Sequence, residues 1–304
     1  MAVPAQRILR YLLTHDPSSG TEDSHFIDLA KDLSAVNRRL YRQGKVYGVL
    51  GITVHDSSDN AFVKVCTAPN TWVVRNAWKK AFGLFKRMRK EALRSAGVGS
   101  NATATWADFK TYLTYPSISD PDWGVPVDCG NNAVSYGEWI YSTFHSPDGT
   151  TSDDEFLTHL LGNNVGPAGN YTSCGLVEGY QNSRARVQPV DPSIDPTEFE
   201  DSWMMNLFDD GTTHDEILED LTSDGDGPPY DHNDMPGSAG NMVSSLVAGE
   251  THVAVGNPIG YIGSFAVPCG LLEVETTSTA NPNTIELLIE IAPGGYKGVD
   301  AVAV

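Results

Sequence analysis

From Val187 to Tyr296 the sequence contains no Lys or Arg. Across residues 98–304 the only cations of that kind are Lys110, Arg184, Arg186 and Lys297, set against 31 acids, a balance of −27. That composition excludes a simple nucleic-acid-binding module for this part of the chain, because phosphate contact needs clustered positive charge. Long apolar runs are missing too. Ile285–Ala292 is interrupted by Glu286 and Glu290, whereas a membrane-spanning helix needs about 20 mostly apolar residues. The apolar patch Ile8, Leu9, Leu12 and Leu13 is too short for a signal peptide. Cysteine is sparse: Cys66, Cys129, Cys174 and Cys269 make no CxxC pair and no zinc spacing with His. They are expected to be free, mostly buried thiols in a reducing compartment.

Catalytic signatures are equally scarce. No GxSxG, HExxH, GxGxxG or P-loop occurs. His15, His55 and His214 each precede an Asp, but adjacency along the chain does not make a dyad. Glu198, Glu200 and Asp201 could be imagined as a glycosidase pair, which needs two carboxyls about 5–9 Å apart. With 39 acids in the chain, choosing two is arbitrary. The turn SDGDGPPYDHND, residues 223–234, offers Asp224, Asp226, Asp231 and Asp234 as hard oxygen donors. It lacks the EF-hand spacing and reads as a plain acidic turn before it reads as a calcium loop. The sequons at Asn101 and Asn170 are taken as chance matches. No enzyme activity, cofactor or metal is expected.

What is present lies at the other end. Sixteen of the 20 Lys and Arg fall between Arg7 and Arg94, and residues 1–97 carry +8. Val73, Val74, Ala77, Trp78, Ala81, Leu84, Phe85, Met88 and Ala92 recur at helical spacing, predicting an amphipathic helix over Trp72–Ser95. Asn70 or Thr71 can cap its start, and Gly83 interrupts it. Its polar face carries Arg75, Lys79, Lys80, Lys86, Arg87, Lys90 and Arg94, joined by Arg38, Arg39 and Arg42 upstream. Three readings fit that face: solvated charge, phosphate contact with nucleic acid, or a membrane surface. Solvated charge alone does not explain why cations vanish afterwards. Nucleic-acid backbone contact is the favoured functional reading, without a membrane partner.

Other elements follow from local pattern. Ala5–Leu13 reads as a short helix in an N-terminal arm (residues 1–25). Ser34 caps a helix over Ala35–Gln43 that stops at Gly44. Lys45–His55 and Ala61–Thr67 read as strands of a hairpin. Beyond Gly97, strand-like stretches alternate with turns: Thr111–Tyr115, Tyr136–His145, Leu176–Tyr180, Ala185–Gln188, His252–Val255, Tyr261–Val267, Leu271–Thr276 and Ile285–Ile291. Glu155–Leu161 and His214–Leu221 read as short connecting helices. Residues 26–304 are thus expected to form one mainly β domain, a sandwich or barrel, with an acidic excursion at about 189–242.

The stretch FIDLAKDLSAVNRRLYRQGKVYGVLGITV (residues 26–54), with SFAVPCGLLEVET (264–276) and IELLIEIAPGGYKGVDA (285–301), resembles capsid proteins of small circular single-stranded DNA viruses. The quoted stretches cover about a fifth of the chain. The resemblance implies a single jelly-roll of two four-stranded antiparallel sheets that self-assembles into an icosahedral shell around a genome, formed in the host cell and found in the virion. The chain departs from small viral capsids in having no Arg/Lys-rich N-terminal tail, so the structured basic residues 38–94 would have to face the genome instead. Trp106, Trp123, Trp139 and Trp203 are candidate subunit anchors or core residues. The alternative is a soluble β-sandwich that binds or processes carbohydrate through aromatic and acidic loops.

Overall fold

The computed structural model describes residues 4–16, 22–56, 60–98, 104, 106–119, 122–146, 154–167, 171–184, 229–230, 235–238, 246–279 and 282–304. Thirteen strands and four helices run in the order β1 (Ile8–His15), β2 (Asp23–Asp28), α1 (Leu29–Asn37), β3 (Lys45–His55), β4 (Ala61–Thr67), α2 (Trp72–Ser95), α3 (Pro116–Ser119), β5 (Thr143–Ser146), β6 (Asp154–His159), β7 (Ser173–Gly175), α4 (Leu176–Arg184), β8 (Leu246–Val253), β9 (Ile259–Ile262), β10 (Phe265–Pro268), β11 (Leu271–Ser278), β12 (Asn283–Ile291) and β13 (Ala301–Ala303) among the described residues. The chain is mainly β, as its sequence suggests.

One sheet has the order β1-β12-β3, with β3 flanked on its far edge by β9 and β10. These last two keep one unbroken antiparallel register from Ile259↔His55 to Pro268↔Val46. They are therefore two halves of a single interrupted strand. The short β13 also pairs with β3. The second sheet has the order β2-β11-β4-β8, antiparallel throughout. Alternate residues of both sheets turn into one core: Leu9, Tyr11 and Leu13 of β1 and Ile285, Leu287, Ile289 and Ile291 of β12 meet Val63 and Val65 of β4 and Leu272 and Val274 of β11. Burying such side chains is worth about 1.5–3 kcal/mol each.

The strands expected at 45–55 and 61–67 are present, but they do not form a hairpin. Strand β3 is already paired on both edges, by β12 and by β9–β10, so β4 has no edge to join and crosses to the other sheet. Ala5–Leu13 contributes a strand, not a helix, because Leu9, Tyr11 and Leu13 alternate into the core. The first helix begins six residues earlier than expected. Asp28 is its N-cap, its carboxylate accepting from the backbone N–H of Ala30 and Lys31 at 3.0 and 3.1 Å. It ends at Arg38, which adopts the left-handed conformation (φ 54°). Gly44 serves packing: a Cβ there would overlap the Trp78 ring. Leu176–Tyr180 is helical and Glu155–Leu161 mostly strand, the reverse of expectation. Within Tyr136–His145 only Thr143–His145 is strand, and Thr111–Tyr115 contributes an isolated bridge at Tyr112. The stretches 185–188 and 214–221 lie outside the described residues, as does most of 189–242.

The four cysteines are free thiols, but only Cys66 and Cys269 are buried. Strands β4 and β8 are direct neighbours, so everything from residue 68 to 245 is one insertion between them. That insertion carries α2, a third small sheet β5-β6-β7, α4 and the acidic excursion. Where the excursion re-enters the described residues, Met235 is buried in a second apolar cluster with Val74, Trp78, Phe109, Leu160 and Val177, and the Gly237 carbonyl accepts from the Gly162 N–H at 2.8 Å.

Candidate nucleic-acid interface

Helix α2 spans Trp72–Ser95, as its periodicity predicts, about a quarter of the way along the chain rather than at its N-terminus. Thr71 caps it, its hydroxyl accepting from the Val74 N–H. Its first half is anchored: Val73, Val74, Ala77, Trp78 and Ala81 pack against Phe109, Leu113, Leu160 and Val177. Past Ala81 no residue of α2 is buried, and Leu84, expected on the apolar face, is 48% exposed. The second half therefore projects from the fold, with Phe82 and Phe85 resting on Phe109.

Three confluent cavities run from this helix to α1. The first, about 740 Å³, is bordered by Arg42, Lys86, Arg89, Lys90 and Arg94 over Phe82, Phe85 and Phe109. It shares Phe85, Arg89 and Asp108 with a second of about 470 Å³. That one shares Trp106, Lys110 and Glu138 with a third of about 290 Å³, which Lys31, Arg38 and Arg39 border. Taken together as one groove, these adjoining cavities are bordered by nine Lys and Arg side chains against two acids, Asp108 and Glu138. Asp108 pairs with Arg42 at 3.4 Å. In a chain of net charge −19, such concentration of positive charge creates a local field that favours a polyanion.

Of the ten cations expected at the interface, Arg38, Arg39, Arg42, Lys86, Lys90 and Arg94 converge on the groove. Arg75, Lys79, Lys80 and Arg87 line none of these cavities. Arg75 is held by the Asn70 side chain at 3.0 and 2.8 Å, and Lys80 reaches Ser183 on α4. Lys31, Arg89 and Lys110 join the groove unannounced. Lys110 had one visible signal, its isolation in an acidic stretch. It is buried with its Nζ 4.6 Å from the centre of the Trp139 ring, and desolvation holds its ammonium below the usual lysine range. Of the tryptophans singled out, Trp106 is 67% exposed in the groove, while Trp123 and Trp139 are half-buried; Trp203 lies outside the described residues. Cations beside exposed rings suit both phosphates and the flat faces of bases.

One groove wall is the irregular stretch 134–142, tied to two buried carboxylates on α1. Tyr136 donates to Asp32 at 2.7 Å; Trp139 and Tyr141 donate to Asp28 at 3.1 and 3.2 Å. Elsewhere, Asp23, His25 and Asp122 bring donor atoms within 4.8 Å, a set that could hold a divalent ion. The buried His25 Nδ1 already lies 2.6 Å from Asp122, a contact that helps fix residues 122–124 against β2. The turn weighed for calcium, 223–234, lies outside the described residues apart from 229–230. Among described helices none is long and apolar enough to cross a membrane.

Comparison with protein-family models, curated proteins and solved structures finds no match to this chain.

Proposed function

We propose that this chain is a capsid protein whose two sheets form a jelly-roll wall and whose basic groove contacts packaged nucleic acid through phosphates. The strand order carries the reading. With β9 and β10 counted as one strand, the sheets are β1-β12-β3-β9/β10 and β2-β11-β4-β8. Successive strands alternate between them except at β4 to β8, where the long insertion departs and returns. Eight antiparallel strands so ordered support a double Greek key, an architecture used by viral capsids and also by lectins. The groove favours the first use, because its lining is cationic and neither α2 nor α1 presents paired acids to it. In this reading the protein assembles with copies of itself, needs no cofactor and performs no catalysis.

Retention of nucleic acid tests the groove. Charge reversal at Lys86, Lys90 and Arg94 should leave particles able to form but strip them of co-purifying nucleic acid. Unchanged nucleic-acid content would remove the groove from the account. The carbohydrate reading rests on the exposed ring of Trp106. Glycan-array binding abolished by Trp106→Ala would favour it over the capsid.

A further inference from the structure

We propose that the groove holds a polynucleotide by an unpaired base stacked on Trp106 as well as by its phosphates. The inference rests on the nucleic-acid reading above and adds a contact that phosphate binding does not require. Trp106 stands apart from the other described tryptophans. Trp72 packs edge-on to Tyr180, Trp78 against Phe109 and Trp123 against Tyr141, and the Lys110 ammonium lies over Trp139. Among the described residues no ring or cation rests on Trp106, which is 67% exposed.

Its place in the groove decides what could cover it. Trp106 lines both the cavity of about 470 Å³ and that of about 290 Å³, so it stands where the two adjoin. The larger of these carries Arg89, Phe85 and the exposed Ile140. The smaller carries Lys31, Arg38, Arg39 and the Tyr136 ring, and Lys110 borders both. Cations therefore flank the indole in both directions along the groove. A bare apolar ring adds nothing to phosphate neutralisation, which is a matter of charge. A nucleotide strand brings both partners in one chain, phosphates for the cations and a flat base for the ring. A neutral sugar could stack there, but it would leave the five flanking cations unused. In a duplex the base faces are already covered by their neighbours. Only an unpaired base can reach Trp106, so the contact favours single strands. Stacking one base on an aromatic side chain is worth about 5- to 150-fold in affinity.

Fluorescence anisotropy of full-length, unassembled subunits tests this with three labelled probes: a 30-nucleotide oligothymidine, an abasic strand of equal length and charge, and a 30-base-pair duplex. The wild type should bind oligothymidine at least fivefold more tightly than the abasic strand. Trp106→Ala should abolish that preference. It should leave affinity for the abasic strand and the duplex, and the salt dependence of both, unchanged, because no charge is removed. Trp106→Phe should keep most of the preference, since the smaller ring still offers a face. Equal wild-type affinity for oligothymidine and the abasic strand would overturn the stacking contact while leaving the phosphate groove intact. So would a preference that survives Trp106→Ala, or a loss of affinity in that variant that is the same on both strands. Failure of the wild type to bind any of the three would instead overturn the nucleic-acid reading, and this contact with it.

Discussion

If the groove between α1 and α2 carries phosphates, affinity for nucleic acid must depend on salt in proportion to the cations that line it. Lys86, Lys90 and Arg94 are exposed, border the same cavity, and sit on the part of α2 that projects from the core. Replacing all three by Ala keeps good helix formers and removes no buried contact. Each phosphate neutralised on a single strand contributes about 0.7 to the slope of log K against log salt. Three lost contacts should therefore flatten the slope by about 2, and weaken binding at 0.1 M salt by roughly 100-fold. The matched control is Arg75→Ala with Lys79→Ala and Arg87→Ala, which removes equal charge from positions that line none of these cavities. Fluorescence anisotropy of unassembled subunits with a labelled 30-nucleotide oligothymidine, from 50 to 300 mM NaCl, measures both. The groove triple should lose at least tenfold more affinity than the control at 100 mM. Equal slopes would mean that only net charge matters, and the groove reasoning would fail.

Two glycines in or beside α2 should respond in opposite directions. A Cβ at Gly83 meets nothing within 4 Å, so Gly83→Ala should stabilise the exposed helix by about 0.8–1 kcal/mol. Gly44→Ala should destabilise by displacing Trp78; thermal unfolding compares the two. His159 supplies an acid-side effect. It is buried, donates through Nε2 to the Asn163 carbonyl at 2.9 Å, and accepts at Nδ1 from Ser173 at 2.7 Å. Desolvation pushes its imidazole down to about 4. The neutral ring is therefore the folded form, and its contribution is present above about pH 6.5 and lost as pH falls toward 4, about 3 kcal/mol in all. An NMR titration placing the His159 midpoint near 6.5 would contradict this.

How much of this was legible depended on whether the signal was local. Helix α2 was readable because nine apolar residues kept helical spacing from Val73 to Ala92, although only its first half is buried. Strands β3, β4, β11 and β12 were readable from alternation and β-branched content. Which strands pair was not. A turn cluster at 56–60 fits a hairpin as well as a crossing between sheets, and only the saturation of both β3 edges decides it. The register of α1 was missed because Ser34 is a good N-cap by type, yet Asp28 is the residue whose carboxylate reaches the helix start. The groove was half legible. Clustering in sequence gathered Arg38, Arg39, Arg42 and the helix cations. The insertion's return past α1 is what adds Lys110, Trp106 and the wall at 134–142, and it is a long-range event with no local pattern. The charge split that stands out in the sequence also has a narrower structural meaning, since α2 and the acidic stretch belong to the same insertion between β4 and β8.

Self-assembly is the central claim, and particle imaging addresses it most directly. Full-length protein should elute at megadalton size and appear in negative stain as closed shells of uniform diameter. A monodisperse monomer that persists across salt concentrations and pH values would contradict the capsid account.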